Sequence, residues 1–258
     1  GDCTGPVSSA FVLKDPTVDF AVLECARGGI LKAGLAFQNC EVAVVTNVAA
    51  DHMGLGGIHT IEAMAKVKQV VPETVFPHGY AVLNADDDLV YKMKNDLKCN
   101  IALFSMDENN PRIKEHAKNN GLACVYENGY VTIMKGSWKI RVLPARDIPL
   151  TYEGKAIHNI NNCLPAVLST YLFRDITIED IRTGLQTFIP SESLTPGRLN
   201  FFNFKHFTIL ADFAHNPHGL QLLCDFVEKL DYPSRVGVIS GTGDRRDEDI
   251  RELGAISA

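Results

Sequence analysis

Apolar positions along the chain fall into two periods. Short apolar runs that suit buried strands cover 18–24, 42–47, 79–83 and 100–104. Between them, Thr60 to Val71 carries apolar residues at helical spacing, with Pro72 ending the segment. Asn84-Ala85-Asp86-Asp87-Asp88 follows the third run and is placed to cap a helix through Lys94. Strand–helix alternation over residues 1–150 is the pattern of βαβ units. The texture changes from about 122 to 150. There Cys124-Val125-Tyr126, Tyr130-Val131-Thr132-Ile133-Met134 and Trp138-Lys139-Ile140-Arg141-Val142 flank two turn segments, Glu127-Asn128-Gly129 and Lys135-Gly136-Ser137, as in a small antiparallel meander. Gly154 to Tyr171 reads as a loop opening a helix, and Thr177-Ile178-Glu179-Asp180 opens another with a capping pattern at Thr177. Ser191 to Gly197 has linker composition. A second α/β unit is expected after it: paired strands over Leu199 to Phe204 and Phe207 to Asp212, a helix from Pro217 to Leu230, a strand over Val236 to Ser240, a Gly-rich loop, and a helix from about Asp247. The fold class predicted is α/β, with a central parallel sheet flanked by helices and a small antiparallel subsheet.

Composition narrows the field. The 258 residues are 46% hydrophobic and 22% charged, ordinary for a soluble globular protein. A net charge of −6 does not favour a nucleic-acid partner. No apolar run approaches the roughly 20 residues of a membrane span, and the first residues have neither the basic segment nor the apolar block of a signal peptide. The seven cysteines (3, 25, 40, 99, 124, 163 and 224) are odd in number and widely spaced, with no Cys-x-x-Cys pair. Reduced thiols in a cytoplasmic protein are therefore expected, rather than a disulfide framework or a zinc ribbon. The chain lacks an initiator Met and stops just after a helix-like segment, and so reads as a fragment of something longer.

Chemistry collects where strands end, which is where open parallel α/β sheets bind ligands. Leu23-Glu24-Cys25-Ala26-Arg27-Gly28-Gly29 closes the first run. Glu24 suits Mg²⁺, which takes oxygen ligands and keeps waters, and the glycines allow close backbone approach. A glutamate capping the next helix is the alternative. Thr46-Asn47 with Asp51-His52 closes the second run, and Asn47 and His52 could complete a metal shell or touch a phosphate. A polar loop with an Asx turn is the plain alternative. His59 is left structural. Lys66 and Lys68 lie on the following helix and could hold a carboxylate or phosphate, or simply face solvent. His158-Asn159-Ile160-Asn161-Asn162 opens a helix whose amides suit an adenine edge or a cap. Beyond the linker, Arg198 is placed to reach phosphate, and Asp212 ends a strand as ribose-binding carboxylates do. Asn216-Pro217 makes a cap and first-turn pair for a helix whose N–H groups can face an anion. Gly241-Thr242-Gly243-Asp244-Arg245 is a weak anion-loop signal and not a Walker A loop.

Taken in order, Glu24, Thr46-Asn47 with Asp51-His52, Asn84-Ala85-Asp86-Asp87, His158-Asn159 with Asn162, Gly197-Arg198, Asp212 with Ala214-His215-Asn216-Pro217, and Gly243-Asp244-Arg245 resemble the Mur ligase family of ATP-dependent, ADP-forming amide ligases. The resemblance covers nearly the whole chain. It implies a central ATP-binding domain over 1–194 and a truncated Rossmann-like C-terminal domain over 195–258. It also implies an acyl phosphate formed from a substrate carboxylate and ATP, then attacked by an amine. Glu24 and His52 would be Mg²⁺ ligands, with Asn47 beside the phosphates. His158, Asn159 and Asn162 would lie near adenine, and Asp212 would take the ribose. Arg198 would bridge to ATP, and His215 and Asn216 would face the reaction. Lys66 matches the position where several members carry a carbamylated lysine. Within the family, Glu24-Cys25-Ala26-Arg27-Gly28-Gly29-Ile30-Leu31, Gly1-Asp2-Cys3-Thr4-Gly5-Pro6 and Gly243-Asp244-Arg245-Arg246-Asp247-Glu248-Asp249 most resemble members that add arginine to the β-carboxylates of a polyaspartate chain and assemble from identical subunits. A folylpolyglutamate synthase-like ligase, a peptidoglycan amino-acid ligase and a non-catalytic nucleotide-binding module are the alternatives. The family's Gly-x-x-Gly-Lys-Ser/Thr phosphate loop is not among the 258 residues, so this stretch alone is not expected to ligate.

Overall fold

The structure, a computed structural model, describes residues 5–49, 54–240 and 247–257. It divides into two compact units. The first comprises 1–105, 109–123 and 135–137; the second comprises 106–108, 124–134 and 138–258.

In the first unit, helices α1 (Pro6–Lys14) and α2 (Arg27–Ala33) precede strand β1 (Cys40–Val45). Helix α3 (Ile61–Glu73), strand β2 (Val75–Asn84), helix α4 (Asp88–Met93), strand β3 (Asn100–Ser105) and helix α5 (Pro111–Lys118) follow. The strands pair in parallel in the order β1-β2-β3, as strand–helix alternation predicts. Ala81, Val82 and Leu83 of β2 and Ala102, Leu103 and Phe104 of β3 are buried. This is the continuous apolar run of strands covered on both faces. Helix α3 buries Met64, Ala65, Gln69 and Pro72. It starts where expected, at Thr60, whose Oγ1 accepts the Ala63 N–H at 3.1 Å, but it runs one residue past Pro72. Asp87 caps α4 by accepting from Leu89 and Val90 at 2.9 and 3.0 Å.

The β1–β2 register is uneven: Cys40 faces Val75, whereas Val42 faces Tyr80. The extra residues of β2 bring Gly79 against β1, and a Cβ there would lie 2.3 Å from the Glu41 carbonyl oxygen. Only glycine fits this close approach.

The second unit holds β4 (Leu122–Glu127, which begins in the first), β5 (Tyr130–Lys135) and β6 (Trp138–Pro144). Asn128 and Gly129 both have positive φ, 49° and 84°, the two-residue hairpin turn that an Asn-Gly pair favours. Glu127, almost fully buried, is ion-paired with Lys139 and lies 3.8 Å from Arg141; the hydrogen bond from Lys139 is the main cause holding its carboxyl below the ordinary carboxylate range. Helices α6 (Ile157–Tyr171) and α7 (Ile178–Thr187) follow, the latter opened by the expected capping box between Thr177 and Asp180. Strands β7 (Asn200–Asn203) and β8 (Thr208–Ala211) pair antiparallel. Helices α8 (Pro217–Glu228) and α9 (Asp247–Ile256) complete the unit. Ala156, Leu199 and Phe226 form a small core, with Tyr152, Phe201 and Leu210 packed on it.

Two expected strands are not formed. Residues 18–24 run without a ladder into α2, with Val22 87% exposed. Residues 236–240 also form no ladder, with Val238 97% exposed. Among the described residues neither has a partner strand. An apolar run becomes a strand only where a partner strand supplies a ladder to receive it. No described helix is long and apolar enough to cross a membrane.

Candidate functional site

In the first unit the carboxyl ends of β1, β2 and β3 converge. Beyond β1, Thr46 and Asn47 are exposed. Asn84, at the end of β2, donates from Nδ2 to the Thr46 carbonyl at 2.8 Å and accepts the Asp86 N–H at 2.8 Å. Asp86 also accepts from Ser105 Oγ at 2.6 Å and from Asn110 Nδ2 at 2.8 Å. Asp87 uses its second oxygen to accept the Val48 N–H at 2.7 Å. Lys68 donates from Nζ to the Asn47 carbonyl at 2.7 Å. The structure therefore brings Lys68, not Lys66, to Asn47. Lys66 sits two residues away, on the other side of the helix. Its Nζ is 3.6 Å from Asp96, and its side chain is 72% exposed.

Glu24 lies in the unpaired stretch before α2. The cap of α2 is Ala26, without a side-chain bond, so Glu24 does not cap this helix. Its carboxylate is exposed, makes no hydrogen bond among the described residues, and lines a small cleft with Pro6, Ser9, Cys25, Ile30 and Phe37. Asp51 and His52 lie outside the described residues, as does Gly243-Asp244-Arg245.

In the second unit the first turn of α6 carries three of the expected side chains. His158 is half-buried with its ring edge-on to Phe226, centroids 6.3 Å apart. Burial pushes its pKa down, Asp212 pulls it up and Lys229 pushes it down again; burial is the largest effect, so the ring is neutral at pH 7. Asn159 donates to the Leu150 carbonyl at 2.8 Å and does not cap α6, whose cap residue is Ala156. Asn162 is exposed. Asn161, between them, has its Oδ1 buried with no hydrogen-bond partner among the described residues, a costly state for an acceptor.

Asp212 closes β8 and accepts the Leu199 N–H at 2.9 Å and the Ala214 N–H at 2.8 Å. A carboxylate with two oxygens retains acceptor capacity beyond these bonds. Arg198 is exposed, with its guanidinium 5.7 Å from the Phe213 ring centroid. His215 Nδ1 is 2.8 Å from the Phe213 carbonyl. Asn216 caps α8 through the Gly219 N–H at 2.8 Å, with Pro217 in the first turn, as the sequence predicts.

The Mur ligase middle domain profile matches residues 3–170, well over half the chain. This chain belongs to the Mur ligase family. Over all 258 residues this Mur ligase is 54% identical to a cyanophycin synthetase of Synechocystis sp. and 53% identical to one of Geminocystis herdmanii, and it spans 29% of the length of each. MurF from Acinetobacter baumannii superimposes with a TM-score of 0.53 at 20% identity, over 74% of this chain and 38% of that one, a likeness of fold.

The Mur ligase family implies ATP and Mg²⁺, and the residues present suit both. Glu24 offers an accessible carboxylate, the donor Mg²⁺ takes when most of its shell is water and phosphate. On the nucleotide side, His158 has a half-buried ring, Asn162 is exposed with no hydrogen bond from its amide among the described residues, and Asp212 keeps acceptor capacity, groups that would suit a base and a ribose.

Proposed function

We propose that the chain is the Mur ligase-like part of a cyanophycin synthetase, adding arginine to the β-carboxylates of a polyaspartate primer with ATP as the energy source. The observation that carries this reading is 54% identity sustained over the whole chain to an enzyme of that name. In this reading residues 1–194 are the central ATP-binding domain and 195–258 begin the C-terminal domain. Both lie in the cytoplasm within a longer polypeptide that assembles from identical subunits. The 258 residues alone do not ligate.

Glu24 and His52 would hold Mg²⁺, which neutralises phosphate charge when bound. Asn47 lies beside the phosphates. Lys66, carbamylated or not, would support the metal. His158, Asn159 and Asn162 read the adenine, Asp212 takes the ribose and Arg198 bridges to ATP. His215 and Asn216 face the substrate carboxylate. Its oxygen attacks the terminal phosphorus and ADP leaves. The arginine amine then attacks the activated carbonyl and phosphate departs. The protein's work is placement and charge neutralisation, as in other phosphoryl transfers.

Oxygen-18 tracing tests the chemistry. With primer labelled in its side-chain carboxylates, each arginine added is expected to leave one labelled oxygen in the released phosphate. Unlabelled phosphate contradicts activation of that carboxylate.

A further inference from the structure

The turn after β1 is held with more side chains than a connection needs. Three consecutive residues are gripped through their backbones from three elements: Thr46 by Asn84 of β2, Asn47 by Lys68 of α3, and Val48 by the α4 cap Asp87. The grips are themselves fixed. Asn84 is 5% exposed and also accepts the Asp86 N–H, while Asp87 is bound to the first turn of α4. Lys68 gives a charge-assisted bond, the stronger kind, and holding its long side chain in one rotamer costs entropy that an ordinary exposed turn would not repay. Meanwhile the Asn47 carboxamide makes no hydrogen bond among the described residues and faces solvent. The backbone of this turn is committed to the protein, and its side chain is left for a ligand.

We infer that Lys68, with Asn84 and Asp87, is a positioning residue that presents the Asn47 carboxamide to the nucleotide. Lys68 acts through Asn47 and not on the ligand itself. This rests on the reading of Asn47 as a phosphate-side group. It separates Lys68 from Lys66, whose Nζ is turned to Asp96.

The test is a double-variant cycle in the whole polypeptide, following ADP formation against ATP concentration. Lys68→Met is expected to raise KM for ATP about tenfold while kcat changes less than about threefold. Melting temperature should stay within about 2 °C, as for a surface substitution. Lys68→Arg, which keeps a charged donor, is expected to restore KM to within about threefold of wild type. Lys68→Met added to Asn47→Ala should raise KM no further than Asn47→Ala alone, the non-additivity of residues acting as one unit. Additive effects, or a silent Lys68→Met beside an impaired Asn47→Ala, overturn the inference and leave the proposed function intact. A silent Asn47→Ala overturns the reading of Asn47 itself, and the inference with it.

Discussion

Glu24→Gln is expected to abolish most ligation in the whole polypeptide while leaving the fold untouched. The carboxylate is exposed, caps no helix and makes no hydrogen bond among the described residues. Removing its charge in an isosteric side chain should therefore change stability by less than about 0.5 kcal/mol, as for a surface substitution. If it holds Mg²⁺, the consequences for chemistry are large. Even the outer partners of metal ligands cost about 10- to 100-fold when removed, so loss of a ligand should cost at least about a hundredfold in kcat. Raising Mg²⁺ should recover part of the rate, because an amide oxygen is a weaker ligand and the remaining shell is water. Steady-state kinetics at two Mg²⁺ concentrations, beside a melting curve, check both halves. A variant with normal turnover removes Glu24 from the site.

Gly79→Ala should destabilise the first unit by about 3 kcal/mol. The backbone there is not in the left-handed region, so the objection is contact alone: the new Cβ would sit 2.3 Å from the Glu41 carbonyl oxygen and 2.9 Å from a Val75 methyl. A backbone oxygen inside a parallel ladder cannot swing aside, so β1 must move away from β2 at its register shift. Overpacking of this kind costs about 1–3 kcal/mol, and a backbone partner places this site near the top of that range. A loss of about 3 kcal/mol corresponds to roughly 10 °C in melting temperature for a chain of this size. Gly184→Ala provides the contrast, since a Cβ on this α7 glycine meets nothing within 4 Å. It should stabilise by about 0.5–1 kcal/mol through helix propensity. Equal melting temperatures for the two variants would contradict the close approach at Gly79.

Local chemistry was legible wherever one residue decides one element. Asp87, Thr177 and Asn216 cap the helices their positions announce, and Asn128-Gly129 makes its hairpin turn. The expected strands at 18–24 and 236–240 were misread for a common reason. Apolar periodicity reports a wish to be buried, but which ladder receives the run is a long-range matter the run does not encode. The grip on the Thr46–Val48 turn was also invisible, because Lys68 and Asp87 bind backbone groups and a backbone acceptor leaves no motif. Lys66 and Lys68 look alike in sequence. Helical rotation sends one to Asp96 and the other to Asn47.

The most direct measurement of the central claim is incorporation of labelled arginine by the whole polypeptide with polyaspartate primer, ATP and Mg²⁺. The account predicts arginine bound to aspartate side chains in step with ADP formed, and no turnover without arginine. ADP formation that ignores arginine and instead follows another amine, such as glutamate or diaminopimelate, would contradict it.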